Sequence, residues 1–281
     1  MSIEDITVII TSFKSNDKII NCLKSINNQC KVIVVENSND TKIKQMIESQ
    51  FNNVNCILSG ANLGYGRANN LGLKNVKTKY ALILNPDATL EKSTLENFLI
   101  LVKQNLDFAI IGPMEQEKSK SISLIDKKND SLIKVENVKG FAMFLNLEQF
   151  EEVGFFDENF FIYFEEIDLC KRLSKLNKKI YLSSEIKINH LGAQSHDDSI
   201  NKKMELSRNW HWMWSTFYYH RKYKGFIVAF IITFPKLFSA VIKMIIYSLL
   251  MKKYKSELYY QRFSGLLNAI MGKKSWYRPK V

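Results

Sequence analysis

Acidic residues all but vanish from the last part of this chain. Residues 200–281 contain two, Glu205 and Glu257, against sixteen Lys and Arg, a net of +14. Residues 1–199 contain 26 acidic and 24 basic residues, a net of −2. The net charge of +12 thus sits on a basic appendage to a near-neutral body, which implies an anionic partner for that appendage, lipid or nucleic acid. Cysteine is also scarce. Cys22, Cys30, Cys56 and Cys170 show no metal-type spacing and mostly occupy apolar positions, so reduced thiols in a cytosolic protein are expected. An uninterrupted apolar run of the ~20 residues needed to cross a membrane is missing too. The nearest approach, 225–251, is broken by Pro235-Lys236 into pieces of nine (226–234) and fifteen (237–251), the latter containing Lys243. The N-terminus, Met1-Ser-Ile-Glu-Asp5, is acidic and enters a strand directly, unlike a secretory leader.

What is present is a globular composition, 46% hydrophobic and 24% charged, in 281 residues, enough for one large domain or one domain with an appendage. Ile6–Ser12, Lys31–Val35, Val54–Leu58 and Tyr80–Leu84 are short continuous apolar runs of the kind buried parallel strands show. Between them lie helical patterns: one after Asp17, which can cap it, then Thr41–Phe51 and Arg67–Val76. Strands alternating with helices mean βαβ units and a mostly parallel sheet, and such sheets bind ligands beyond the carboxyl ends of their strands.

The strand ends therefore carry the chemistry. Thr11 and Ser12 close the first strand. Glu36, acceptor-only when ionised, closes the second and suits a pyrimidine ring N–H. The Gly60–Gly72 loop contains Asn62, Gly64, Arg67 and Asn69 and opens a helix whose N–H groups can face phosphate, with ordinary turn chemistry as the competing reading. It lacks a third Gly in the dinucleotide-binding spacing and follows the third strand, which argues against that motif. In Asn85-Pro-Asp87, Pro86 stiffens a turn that projects a hard carboxylate, suited to Mg²⁺ or Mn²⁺ or else to capping a helix before Glu91. Beyond residue 107 the signals weaken to strands at Phe108–Pro113, Val138–Leu145, Lys179–Leu182 and Ile188–His190, a polar hairpin or loop over Glu115–Lys128, and a helix at Leu147–Val153. Gly140 marks a close backbone approach. His190 ends its strand 24 residues after Glu166, a metal candidate or a structural histidine.

The densest signal is Gly154–Cys170, where Asp157, Glu158, Glu165, Glu166 and Asp168 interrupt an apolar, aromatic run. Buried carboxylates are costly unless paired or used, and desolvation raises their pKa. Helical spacing starts near Phe164, so Glu165, Glu166 and Asp168 fall in a first turn, where the helix dipole favours negative charge. A dipole-matched helix start is the plain alternative to a reactive carboxylate.

These pieces, in this order over about residues 5–195, resemble the family 2 glycosyltransferases of the GT-A fold, in particular their bacterial rhamnosyltransferase-like branch. The matching stretches are Ile6–Ser12, Val34–Asp40, Asn62–Asn70, Leu84–Asp87, Gly140 with its strand, Val153–Asp157, Phe164–Cys170 and His190. The resemblance implies an α/β fold, Rossmann-like, with helices on both faces of the sheet. The catalytic domain would span 1–199 (nucleotide part about 1–112, acceptor part 113–199), with a basic, aromatic-rich helical extension at 200–281. It implies inverting transfer of a sugar, dTDP-L-rhamnose being suggested by the branch, to a glycan or lipid-linked acceptor. Thr11, Ser12, Glu36, Asn62, Gly64, Arg67, Asn69, Asn85 and Asp87 would serve the donor, and Asp87 with His190 would hold Mg²⁺ or Mn²⁺. Glu166 would be the general base, assisted by Glu165, with Gly140, Asp157 and Asp168 on the acceptor side. The family's metal motif usually begins with Asp, so Asn85 implies weaker metal dependence. Glu36 and Glu166 replace the commoner Asp.

The appendage carries Trp210, Trp212, Trp214, Phe217, Tyr218 and Tyr219, then the broken apolar run flanked by Arg221, Lys222, Lys224, Lys252, Lys253 and Lys255. Lys236, Lys243 and Tyr247 share one helical face. A central Lys costs ~2.5–3.5 kcal/mol to insert, so an in-plane anchor on an anionic membrane, at the inner face of the cytoplasmic membrane, is expected over a span. A pair of helices completing the catalytic domain or making a dimer is the alternative. A nucleotidyltransferase would require a basic Gly-rich loop after the first strand, where Thr11–Ser15 offers only Lys14. A non-enzymatic membrane or nucleic-acid adaptor would leave the acidic cluster unexplained, and no nucleic acid is expected.

Overall fold

A computed structural model of the chain describes residues 2–104, 107–114, 131–190, 192, 196 and 198–279. Two compact units are present. The first is 1–156 with 166–197; the second is 157–165 with 198–281. A single cut near 199 would therefore misplace nine residues, because 157–165 groups with the helices.

The first unit is built on β1 (Ile6–Ser12), every residue of which is buried. β2 (Lys31–Glu36) and β4 (Tyr80–Leu84) flank it in parallel, and β3 (Val54–Leu58) extends the sheet beyond β2. Four further strands are β6 (Ile110–Pro113), β7 (Leu132–Lys134), β8 (Ala142–Asn146) and β9 (Ile180–Ser183), and the sheet order is β3-β2-β1-β4-β8-β6-β9-β7. β8 runs antiparallel to both its neighbours, and β7 antiparallel to β9. The sheet is covered on both sides. Val8 and Ile10 join one apolar cluster and Ile9 the other, as successive side chains on a strand point to opposite faces.

The helices α1 (Asn16–Ile26), α2 (Thr41–Gln50) and α3 (Tyr65–Leu73) follow the sequence pattern closely, and α4 (Thr94–Lys103) is a further helix beyond those expected from the sequence pattern. Ser15, and not Asp17, is the residue before α1; Asp17 lies within its first turn, where the dipole still favours it. α3 packs against β1 at Gly72, where an added Cβ would meet Ile9 Cγ2 at 2.6 Å. The helix expected at 147–153 is a 3₁₀ turn, Leu147–Phe150. The expected loop at 115–128 lies outside the described residues. Two short strands, β5 (Ala88–Leu90) and β10 (Ile188–His190), pair antiparallel in a separate ladder that sets His190 opposite Ala88. The four cysteines are buried thiols.

α5 (Glu165–Lys175) follows Tyr163 and Phe164, both with φ of 72°. Two consecutive bulky residues in the left-handed region are strained, at a cost of ~1–2 kcal/mol each.

In the second unit α6 (Asn201–Leu249) breaks at Gly225, with φ 81° and ψ 171°, and α7 (Lys253–Ile270) packs back on it. An added Cβ on Gly265 would fall 2.2 Å from the Trp210 carbonyl oxygen, so the two helices touch backbone to backbone. Trp210, Met213, Trp214, Phe217 and Leu266 form the core. The 157–165 segment belongs here. Phe160 packs edge-on to Tyr218 and Phe161 lies on His211, with ring centroids 4.9 and 4.4 Å apart. The Ser215 hydroxyl donates to the Ile162 carbonyl at 3.0 Å. Phe160 and Phe161, part of the apolar, aromatic run of 154–170, are thus buried among the helices.

Candidate active site

The end of β1 is tied to the loop that precedes α3. Thr11 Oγ1 donates to Asn69 Oδ1 at 3.2 Å, and Asn69 Nδ2 donates to the Tyr65 carbonyl at 3.0 Å. Asn37, which the sequence reading passed over, holds the rest of the loop. Its backbone N–H donates to the Ser12 carbonyl, its Nδ2 reaches Asn62 Oδ1 and the Gly64 carbonyl, and its Oδ1 accepts from Leu63 N. A buried Asn inside a polar strand-end run was the available signal. Gly64 has φ 81°, a conformation that glycine adopts without strain, and no side chain caps α3. The first N–H groups of α3 therefore keep the donor capacity of an open helix start, with Arg67 exposed in the same turn. This suits the negative charge of a diphosphate.

Glu36 is 1% exposed and frames its own loop. Ser38 Oγ donates to it at 2.6 Å, Asp40 N at 2.7 Å and Ser38 N at 3.1 Å. Three donors occupy a carboxylate with about four acceptor positions, so the expected nucleobase contact has one position left to it.

Asn85, Asp87 and His190 converge. The β5–β10 ladder sets His190 Nε2 3.4 Å from Asp87 Oδ1 and 3.5 Å from Asn85 Nδ2. Asn85 Oδ1 is buried without a hydrogen-bond partner among the described residues. A carboxylate, an imidazole and an amide oxygen suit a hard divalent cation; two ligand atoms at ~2.1 Å from such an ion stand ~3 Å apart. Among the described residues no cluster of three or more His, Cys, Asp or Glu side chains forms, so remaining coordination positions would fall to water or a ligand. Burial, with Asp87 nearby, also raises the pKa of the Cys22 thiol, which donates to the Asn85 carbonyl.

Glu166 stands next to this group through Gly140 and Phe141. An added Cβ on Gly140 would lie 3.7 Å from Glu166 Cβ and from Tyr65 Cε1, so the close approach is present but at ordinary contact distance. The Tyr65 hydroxyl donates to the Gly140 carbonyl, and Asn85 N donates to the Phe141 carbonyl at 2.8 Å. Burial raises the Glu166 pKa, against the backbone N–H groups of Glu166 and Ile167. Its Oε2 is buried with no hydrogen-bond partner among the described residues. A carboxylate so placed is primed to take a proton. Glu165, its neighbour, is buried as well and groups with the helical unit.

Two aspartates expected on an acceptor side have other work. Asp168 is fully buried and pairs with Arg172 Nε at 2.8 Å. Arg172 in turn donates to the carbonyls of Val153 and Phe155, so the pair ties α5 to the 153–155 loop. A fully buried carboxylate cannot meet an acceptor. Asp157 has both oxygens engaged, Oδ1 by Asn159 and Oδ2 by Tyr218 and by Lys222 at 2.7 Å. An acceptor would have to displace them. Asn70, also missed, clamps the Phe156 backbone, Nδ2 donating to its carbonyl at 2.9 Å and Oδ1 accepting from its N–H at 3.0 Å.

The architecture matches known proteins. A mannosyltransferase of Pyrobaculum calidifontis, solved with GDP-mannose and Mn²⁺, superposes with a TM-score of 0.57 at 11% identity, over 96% of this chain and 88% of that one. The 1–349 part of S. aureus TarS gives 0.54 at 13%, over 99% and 93%. At such identities the likeness is one of fold, the GT-A fold. In sequence, the low-salt glycan biosynthesis hexosyltransferase Agl10 of Haloferax volcanii is 28% identical over 200 residues, 63% of this chain and 64% of that protein. The rhamnosyltransferase WbbL of Escherichia coli K12 is 25% identical over 209 residues, 62% and 78%. The model of glycosyl transferase family 2 matches residues 7–170, from β1 into the helix that starts at Glu165-Glu166. That match spans more than half of the sequence, and the chain therefore belongs to glycosyl transferase family 2.

Proposed function

We propose that the protein transfers a hexosyl or deoxyhexosyl unit, with inversion, from a nucleoside-diphosphate sugar to a hydroxyl of a glycan or lipid-linked acceptor. The observation that carries this reading is the Gly140–Phe141 dipeptide, which has Glu166 on one side and the Asn85–Asp87–His190 group on the other. The rhamnosyltransferase relative supports dTDP-L-rhamnose as the first donor to test.

A sugar hydroxyl is a poor nucleophile. Glu166, with its raised pKa and unpartnered Oε2, takes the hydroxyl proton as the oxygen attacks the anomeric carbon. The bond to the diphosphate breaks on the opposite face, and the negative charge it gains meets the open start of α3 and Arg67. Asp87 and His190, with the Asn85 amide oxygen beside them, would hold a divalent cation, which when bound would neutralise charge on the leaving diphosphate.

The helical unit supplies a membrane contact in this reading. Its α6 is the one described helix long and apolar enough to cross a membrane by length and composition. Ile227, Ile231, Phe234, Phe238, Ile245 and Leu249 are exposed on it. Lys243 and Tyr247 turn the other way, Lys243 over the Tyr259 ring at 5.3 Å and Tyr247 stacked on it at 5.5 Å. One apolar face and one cationic face suit an in-plane anchor on anionic lipid at the cytoplasmic side.

The test is a donor panel of nucleoside-diphosphate sugars, with and without Mn²⁺, read by thermal shift and by release of nucleoside diphosphate. Stabilisation by one nucleotide class, strengthened by Mn²⁺ and lost in Asp87→Ala, supports the reading. Absence of any nucleotide effect overturns it.

A further inference from the structure

Two adjoining cavities open in the helical unit, of about 300 and 260 Å³, and share Trp212 and Arg262. The larger also has Lys236 and Ser239 in its wall; the smaller has Arg208 and Asn209. Among the described residues neither lining contains a carboxylate. Arg262 Nε is buried without a hydrogen-bond partner, while its guanidinium lies over the Tyr259 ring at 5.6 Å. Burial and the charge of Arg262 both depress the Lys236 pKa. Two cations facing one cavity repel each other, and a buried guanidinium N–H left unmade is costly. The fold keeps them there although the whole 200–281 stretch has only two acidic residues. One of those, Glu205, accepts from the Tyr254 hydroxyl. An anion from outside would satisfy the cavity.

The surroundings say what carries that anion. Pro235 also lines the larger cavity. On the same helical turns Phe234 and Phe238 are 50% and 60% exposed, continuous with the apolar face described above. Lys236 lies across α6 from that apolar face, so the cavity with its cation, hydroxyl and indole donors is on the polar side of a helix whose other side seeks hydrocarbon, the side on which a lipid phosphate lies when such a helix rests in the membrane plane. Guanidinium forks and ammonium groups bind phosphate through charge-assisted hydrogen bonds.

We propose that the Trp212–Lys236–Arg262 cavity is a binding site for the phosphate or diphosphate group of a lipid. It deepens the lipid-linked acceptor reading and rests on it only for the lipid's role; phosphate binding stands without sugar transfer.

The full-length protein is tested without donor sugar, so catalytic failure does not enter the result. Vesicles of phosphatidylcholine with one tenth phosphatidic acid are compared with vesicles carrying phosphatidylserine at equal surface charge. Separately, inorganic pyrophosphate is titrated while tryptophan fluorescence is followed. Wild type is expected to prefer phosphatidic acid about tenfold, and Arg262→Met and Lys236→Gln to abolish the preference while keeping residual, salt-sensitive binding to both vesicles. Arg262→Lys, which keeps a charge, is expected to retain part of it, and Lys103→Gln, exposed on the other unit, all of it. A pyrophosphate-induced fluorescence change lost in Trp212→Phe, without a phosphatidic acid preference, assigns the site to a free phosphate and overturns the lipid source. Equal binding to both vesicles together with no pyrophosphate effect overturns the site. An unchanged preference in folded Arg262→Met or Lys236→Gln protein overturns it as well.

Discussion

Phe141 lies flat on His190, ring centroids 4.3 Å apart and planes 4° from parallel. The next residue back is Gly140, against which Glu166 rests, so one dipeptide orients a metal-type histidine and a candidate base together. Phe141→Ala removes the stack without touching a charged group. Nucleotide binding is expected to survive, with weaker dependence on Mn²⁺ read by calorimetry. Asp87→Ala is expected to abolish that dependence. Unchanged Mn²⁺ affinity in Asp87→Ala would show that the cation lies elsewhere.

Glu166→Gln keeps size and hydrogen bonding but cannot take a proton. A lost general base costs ~10²–10⁴ in rate, so kcat is expected to fall by that amount with donor affinity kept. Glu165→Gln is expected to lower kcat less and raise the acceptor KM more. Near-normal turnover in both variants would remove the base from this stretch.

The same glutamate has a stability signature. Its folded pKa is raised above the unfolded value, so the folded state binds the proton more tightly. Stability therefore falls as pH rises from the ordinary carboxylate range through the raised folded value, and the penalty is full above it. Glu166→Gln is expected to raise Tm at neutral pH and to leave it unchanged at pH values where Glu166 is protonated in both states. A Tm that drops at neutral pH would mean the carboxylate is stabilising.

Arg172→Met removes the partner of a fully buried aspartate and the donor to two loop carbonyls. Breaking such a pair costs ~3 kcal/mol or more, because the charge left behind has no water. Asp168→Asn with Arg172→Met is expected to recover part of the loss in urea unfolding. If the single and double variants are equally unstable, the pair is not what ties α5 to the loop.

Liposome sedimentation should fall as salt rises, because the flanking Arg221, Lys222, Lys224, Lys252, Lys253 and Lys255 act through a screened surface attraction. Protein that stays bound through alkaline carbonate and high salt would instead mark a spanning helix.

The sequence by itself determined the strands β1 to β4 and the polar residues at their ends. Short apolar runs bounded by turns leave a buried strand few alternatives, and Thr11, Glu36, Asn85 and Asp87 follow directly from where those runs stop. It also determined the basic, aromatic character of the last 82 residues and the shared face of Lys236, Lys243 and Tyr247, since helical periodicity is local. Tertiary structure alone decided the partners. β5 is three residues long and exists because β10, about a hundred positions later, pairs with it, and that pairing is what brings His190 to Asp87. Asp168 and Asp157 read like any other carboxylates near Glu166 until Arg172 and Lys222 claim them. Asn70 and Phe141 gave no local signal, and Asn37 only its place in a polar strand-end run, because a hydrogen bond or ring stack between distant segments leaves no period in the chain. The Phe160–Phe164 run was visible as apolar, but which core would bury it depended on helices that begin some forty residues later.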